Sequence, residues 1–550
     1  MRRRRTESTG ARPGARTGTP VPPLPTMLLA AVVSAALVLP ATLARPALAQ
    51  SPMGVRGAAP ERPVEVDAER SLPADTAITA TGQVTIRGAR VPYRVTTGTQ
   101  PVYGQDGKAD AALHYTFYER TGVSDPSRRP LFISFNGGPG SGSLWMHLGY
   151  TSPKQLVIDD EGYPVQPYGV RDNPHSILDV ADIVYVNPVN TGFSRILDPE
   201  VNRSQFFGAE PDVEYLAEWI DVFVSRYARW TSPKYLIGES YGTTRVAGLA
   251  GRLQNAHWMY LNGVILVSPT GLGLEAEGAA PRSNVLKLPY YTAAAHYHAQ
   301  LPPDLQAREL EDLLPEVEAF ALDEYLPALS RGGSLDQERR REIASLVARY
   351  SGLSEQTVLD HNLAVPSSFF WKELLRGQGY TIGRLDSRYL GVDRQNAGDS
   401  YDYAAELTSW NHAFAPAINH YLREELGFET DLQYYLFGPV RPWSGGDPDF
   451  NAAEELRQAM AQNPFLHVMV QSGYYDGATD YFTAKYVLWN LDPSGRLADR
   501  MRFEGYRSGH MMYLRLEDLE TSNQDIREFI AQSTPVEGQP ATYGRAAPRE

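Results

Sequence analysis

Gly238-Glu239-Ser240-Tyr241-Gly242 lies directly after a short apolar run, Tyr235–Ile237, and directly before a helix-like stretch, Thr243–Leu253. A serine on a tight strand-to-helix turn is exposed as a nucleophile, and small residues on either side leave room for the turn. The pattern alone is common at ordinary glycine usage; its place between strand and helix singles out Ser240. A serine hydroxyl attacks poorly unaided, so it needs a base and a group to orient that base. In such a sheet the partners follow in the order Ser, Asp, His. Of the 11 histidines, His510 stands in a loop after a late strand, in Arg507-Ser508-Gly509-His510-Met511. Asp476, just past the apolar run Leu466–Val470, is the candidate acid, with Asp480 as its rival. Asn136-Gly137-Gly138-Pro139-Gly140 follows another apolar run, Leu131–Phe135. It lacks the Gly-Lys-Ser/Thr ending of a phosphate loop. Its glycines suit an oxyanion hole, in which N–H groups from this loop and from Tyr241 face a developing charge with no side chain between. There is no His-Glu-x-x-His helix and the histidines are scattered, so neither a metal nor another cofactor is expected.

Short apolar runs must place these groups. Gln83–Arg94 and Ala111–Arg120 alternate as antiparallel strands do. Leu131–Phe135, Ile183–Val186, Tyr235–Ile237 and Val264–Val267 then alternate with helical stretches, the pattern of a mostly parallel sheet flanked by helices. Leu216, Ile220, Phe223 and Tyr227 recur at helical spacing, which predicts a crossover helix. From 275 to 440 the strand signal stops and the chain is helix-like; it returns at Leu466–Val470 and Met501–Tyr506. The resulting division is a core in two parts, 76–274 and 441–532, interrupted by a helical insertion at 275–440.

The ends differ in composition. Arg2–Arg5, Arg12 and Arg16 precede an apolar run, Met27–Ala44, and Ala47-Leu48-Ala49 is a small-x-small cleavage pattern, so residues 1–49 read as a secretory signal. A membrane anchor is the competing reading, but the run is short and Pro40 interrupts it. Residues 50–75 read as a mobile leader and 533–550 as a disordered tail. Loss of residues 1–49 would take the formal charge from −14 to −20, which argues against nucleic acid as a partner. The chain has no cysteine, which excludes disulfides and thiol catalysis.

Taken together, Asn136–Ser141, Asn187-Pro188-Val189-Asn190-Thr191-Gly192-Phe193-Ser194, Gly238–Gly242, Gly473–Asp476 and Gly509-His510-Met511 resemble the serine carboxypeptidase family, as an exported bacterial member without cysteines. The resemblance implies an α/β-hydrolase with a helical cap and a triad of Ser240, Asp476 and His510, in preference to Asp480. It implies an oxyanion hole from the N–H groups of Gly138 and Tyr241. It also implies that Asn136, Gly137 and Glu239 hold the substrate's terminal carboxylate, which requires a proton shared between that carboxylate and Glu239. The family pattern is broken where Tyr474 replaces an acid, Ser134 a tryptophan and Ser141 a cysteine. His147, in Met146-His147-Leu148-Gly149, replaces a glutamate and is a further candidate carboxylate ligand. The expected activity is cleavage of C-terminal peptide bonds through an acyl-enzyme, in the periplasm or outside the cell. An esterase or acyltransferase on the same triad is the alternative, and a binding protein without activity a remoter one. A peptide substrate is the expected partner, without nucleic acid and without stable membrane association after signal removal. Oligomeric state is not written in the sequence.

Overall fold

Buried side chains alternating along each strand let one sheet feed two cores. The computed structural model describes residues 70–274, 280–536 and 538. The signal expected at 1–49, most of the leader 50–75 and most of the tail 533–550 lie outside the described residues. β1 (Thr76–Ile86), β2 (Ala89–Tyr103) and β3 (Ala109–Arg120) run antiparallel. β4 (Leu131–Phe135), β5 (Asp182–Val186), β6 (Lys234–Glu239), β7 (Gly263–Val267), β8 (His467–Gly473) and β9 (Met501–Tyr506) pair in parallel. Their order is β1-β2-β3-β5-β4-β6-β7-β8-β9, with a short strand, Arg195–Ile196, beside β3. β3 joins the parallel part through an antiparallel pairing with β5. With helices on both faces, this is an α/β-hydrolase sheet.

β4 sends Phe132 to one face and Leu131, Ile133 and Phe135 to the other, and β7 divides Ile265 and Val267 from Val264 and Leu266 in the same way. On the second face lie α1 (Ala209–Arg226), through Leu216, Ile220 and Phe223, and α2 (Tyr241–His257). Between β7 and β8 the chain is mostly helical. There α3 (Leu288–Tyr297), α4 (Leu310–Phe320) and α5 (Gln337–Ser351) build a third apolar cluster. By contrast, α6 (Ala405–His420) buries Trp410 and Phe414 in the first. α7 (Ala452–Gln462) returns to the second face, α8 (Tyr481–Leu491) follows β8, and α9 (Leu516–Ser533) puts Ile526 and Phe529 on the first. No helix of the described residues is long and apolar enough to cross a membrane.

One element departs from the sequence reading. Gln83–Arg94 is not a single strand; a turn divides it, with Arg87 at φ 49° and Gly88 at φ 80° and Ile86 paired to Ala89. Two consecutive positive φ values match the twist of a two-residue hairpin. Alternation continues on both sides of so short a turn, which hides it. β2 also runs on to Tyr103, through Gly98, where an added Cβ would lie 2.0 Å from the Thr76 carbonyl oxygen of β1.

Candidate active site

β6 ends at Glu239 and α2 begins at Tyr241, which leaves Ser240 in the turn at φ 57° and ψ −128°. That conformation is strained for a residue with a Cβ. The Ser240 N–H donates to Val267 O at 3.0 Å, and its carbonyl accepts from the Thr243 hydroxyl at 2.6 Å. Space fixes the neighbours: a Cβ on Gly238 would lie 2.2 Å from Gly242 O, and one on Gly242 would lie 3.0 Å from backbone oxygens of Phe135 and Asn136.

Asp476 lies past the end of β8 and is fully buried. Its Oδ1 accepts from the N–H groups of Ala478 and Thr479 at 2.8 and 3.1 Å. Its Oδ2 accepts from the Thr479 hydroxyl at 2.6 Å and lies 2.6 Å from His510 Nδ1. Burial opposes protonation of His510, but the charge and hydrogen bond of Asp476 outweigh it, so the imidazole is raised above its ordinary pKa. With Nδ1 engaged by Asp476, Nε2 is the nitrogen left for proton transfer. The rival, Asp480, caps α8 instead, accepting from the Thr483 N–H at 2.8 Å and its hydroxyl at 2.9 Å. Burial pushes its carboxyl up to about 6. His510 therefore takes Asp476, not Asp480, as its partner.

Ser240, His510, Asn136, Gly137, Gly138 and Glu239 line one cavity of about 240 Å³. A Cβ on Gly137 would lie 2.5 Å from the Tyr241 nitrogen, so glycine is what lets the two loops meet. Among the described residues, neither the Gly138 nor the Tyr241 N–H donates to another protein group. Asn136 is held from both ends. Its Oδ1 accepts from Met146 N–H at 3.0 Å, and its carbonyl accepts at 2.6 Å from Arg245, whose Nε is 2.7 Å from buried Asp212. Its Nδ2 donates to Glu239 Oε2.

Glu239 is 2% exposed. Burial raises its carboxyl to about 7, against the pull of His510, Tyr513 and Asn136. Oε2 also accepts from the Tyr513 hydroxyl at 2.9 Å, while Oε1 has no protein partner.

His147 corrects the sequence reading. It does not line this cavity. Its Nε2 lies 2.7 Å from the Tyr118 hydroxyl and its ring stacks on Tyr185 at 4.5 Å. Burial lowers its pKa to about 3, so it is neutral and enclosed, unfit to bind a carboxylate. Thr479, Tyr513, Phe437 and Arg384 contribute to the site but were not read from the sequence. Thr479 and Tyr513 stand three residues after Asp476 and His510, a spacing that only the bends of the loops make meaningful. Arg384 and Phe437 come from far along the chain and carry no local signal.

Residues 98–270 match the family model described as serine carboxypeptidase. Over that stretch the chain is related to the serine carboxypeptidases. It is 33% identical over 135 residues to serine carboxypeptidase S10 family member 1 of Dictyostelium discoideum, covering 24% of this chain and 29% of that one. It is 29% identical over 192 residues to the lysosomal protective protein of Mus musculus, covering 34% and 35%. The chain thus spans about a third of the length of these relatives. Among solved structures, a prohormone-processing carboxypeptidase from Saccharomyces cerevisiae is similar with a TM-score of 0.49 and 14% identity, over 80% of this chain and 91% of that one. The family match includes Asn136–Ser141 and Gly238–Gly242 but ends before Asp476 and His510.

Proposed function

We propose that this chain is an exported serine carboxypeptidase, delivered to the periplasm or beyond after loss of residues 1–49. The observation that carries the reading is the 2.6 Å contact of buried Asp476 with His510, which shares one cavity with Ser240 on its strained turn. In this mechanism His510 takes the Ser240 proton as the hydroxyl attacks the substrate carbonyl, and Asp476 holds the imidazole in the required tautomer. The Gly138 and Tyr241 N–H groups, which have no protein acceptor among the described residues, receive the oxyanion. His510 then protonates the leaving amine, and water resolves the acyl-enzyme. Asn136, Gly137 and protonated Glu239 receive the terminal carboxylate of the leaving residue. The helices of 275–440 serve as the cap over this cavity.

That His147 does not line the cavity favours a second reading, an esterase or acyltransferase on the same triad. Blocked dipeptides with free C-termini, their C-terminal amides and short acyl esters separate the two. Release of free amino acids from the acids but not the amides supports the carboxypeptidase. Turnover of esters with neither peptide cleaved replaces it with the esterase.

A further inference from the structure

The segment Gly383–Arg388 belongs to the chain between β7 and β8, yet it fastens both loops that carry Asp476 and His510. Gly477 N–H donates to the Arg384 carbonyl at 2.9 Å, Ser387 N–H to the Tyr475 carbonyl at 3.0 Å, and His510 N–H to the Leu385 carbonyl at 2.6 Å. A buried ion pair, Arg388 with Asp386 at 2.7 Å, stiffens the segment. So held, it presents the half-buried Arg384 side chain to the cavity of Ser240 and His510.

Arg384 has no carboxylate within ion-pair distance among the described residues. Its charge is felt by Glu406, which is fully buried, and by His510, whose cation it disfavours. One Glu406 oxygen accepts from Leu385 N–H at 2.9 Å, and burial raises its carboxyl above the ordinary value. The guanidinium also donates to the Tyr401 hydroxyl, whose pKa burial raises, so that partner carries no charge in the neutral range. A guanidinium keeps its proton under all working conditions and presents a fork of donors matched to a carboxylate. A cleft arginine with no carboxylate at ion-pair distance among the described residues can take an anionic ligand.

We infer that Arg384 binds a carboxylate on the substrate's leaving residue. The inference rests on the peptidase reading. Its side of the cavity follows from the backbone: Arg384 is fastened beside Asp476 and Leu385 beside His510, and His510 hands its proton to the leaving amine. The carboxylate is either the terminal one, supplementing Asn136 and Glu239, or an acidic side chain on the same residue.

Blocked dipeptides ending in Leu, Gln or Glu as free acids, and in Glu as its amide, test the inference on the wild type, Arg384→Gln and Arg384→Lys. Loss of one charged hydrogen-bonded contact predicts a fall of roughly 10–100-fold in kcat/KM for Arg384→Gln, carried by KM, with partial recovery in Arg384→Lys. An equal fall for all free acids assigns the terminal carboxylate, and a fall confined to Glu assigns the side chain. Arg384 fastens the loops through its backbone carbonyl, so Tm should not move. Its charge also disfavours the His510 cation, so the fall for free acids must exceed any change in the rate of fluorophosphonate labelling at Ser240 and, where the terminal carboxylate is the one bound, any change in cleavage of the Glu amide. Values of kcat/KM within about twofold of wild type for every acid, or a matching loss in labelling rate, would overturn the inference. If the wild type frees no amino acid from any dipeptide, the peptidase reading fails by itself. Glutarate then tests Arg384 directly: protection of Ser240 from labelling in the wild type but not in Arg384→Gln sustains it, and equal or no protection removes it.

Discussion

Each oxygen of Asp476 accepts two hydrogen bonds inside the protein, whereas Glu239, buried in the wall of the Ser240 cavity, leaves Oε1 without a partner. The two carboxyls are equally removed from water, so the difference is one of purpose. Around Asp476 the protein completes its own network and thereby fixes one geometry of His510. Around Glu239 it leaves a polar atom unsatisfied, which costs free energy unless a ligand completes it. A closed network positions, and an open one recognises. The Gly138 and Tyr241 N–H groups, without a protein acceptor among the described residues, and the Arg384 guanidinium, without a carboxylate at ion-pair distance among them, belong with the second kind.

The sharpest break in that comparison is at the closed half. Ser240→Ala, His510→Ala and Asp476→Asn should each lower kcat by roughly 10⁴-fold or more, and combining them should add little, because the three act as one unit. Asp480→Asn, which keeps the cap on α8, should leave kcat within about threefold. Steady-state kinetics on one ester and one dipeptide decide both. A dead Asp480→Asn beside a near-normal Asp476→Asn would reverse the roles of the two acids.

What was legible in the sequence divides along the same line. β4 and β9 have the bounds read from the sequence, Leu131–Phe135 and Met501–Tyr506; for β4 the reason is that a buried parallel strand is a short, clearly bounded apolar run, whereas β9 is a half-buried edge strand. Ser240 was legible because its glycine neighbours are demanded by contacts of 2.2 and 3.0 Å that local sequence controls. His147 was misread for the opposite reason. Its motif shows where it stands in the chain, but the helical turns from Leu144 to Thr151 direct its ring toward Tyr118 and Tyr185. Arg384 reaches the cavity only through tertiary hydrogen bonds from a segment nearly a hundred residues before Asp476, and no periodicity encodes those.

Intermediate effects sharpen the comparison. Thr479→Val removes one of the bonds that complete Asp476, and kcat should fall roughly tenfold with KM unchanged, which stopped-flow burst kinetics can assign to acylation. A change in KM alone would mean that Thr479 contacts substrate rather than orienting the acid. His147 should act on stability only. Burial holds both His147 and His114 near a pKa of about 3, against 6.5 when unfolded. Between those values the unfolded chain binds more protons, so stability falls as pH drops from 6.5 toward 3, at up to about 1.4 kcal/mol per pH unit for each histidine. His147→Gln should therefore move acid unfolding, followed by near-ultraviolet circular dichroism, to lower pH. It should also leave the ratio of free-acid to amide cleavage unchanged. A changed ratio would return His147 to the recognition site.

The smallest effect expected is also the most specific, and it concerns the open oxygen of Glu239. With its carboxyl at about 7, Glu239 is protonated below neutrality and can donate from Oε1 to a substrate carboxylate. Above neutrality it is charged and repels that carboxylate. For free-acid peptides kcat/KM should fall as pH rises through about 7, while for their C-terminal amides it should not. His510 complicates each profile, since it must be neutral to act as base and its raised pKa cuts activity on the acid side. That limb is common to both substrates, so the ratio of free-acid to amide kcat/KM cancels it. The substitution Glu239→Gln lets the amide oxygen take the place of Oε2, where Asn136 and Tyr513 donate, and puts an N–H₂ donor at the position of Oε1. Its donor does not depend on pH. The ratio should then become flat, losing roughly three- to tenfold of its fall between pH 6 and 8, a range that spans the Glu239 pKa. Removing the Glu239 charge also withdraws support for the His510 cation, so the acid limb of both substrates should move to lower pH together. A ratio already flat in the wild type would mean that Glu239 carries no working proton. A ratio that still falls in Glu239→Gln would place the titrating group elsewhere in the cavity.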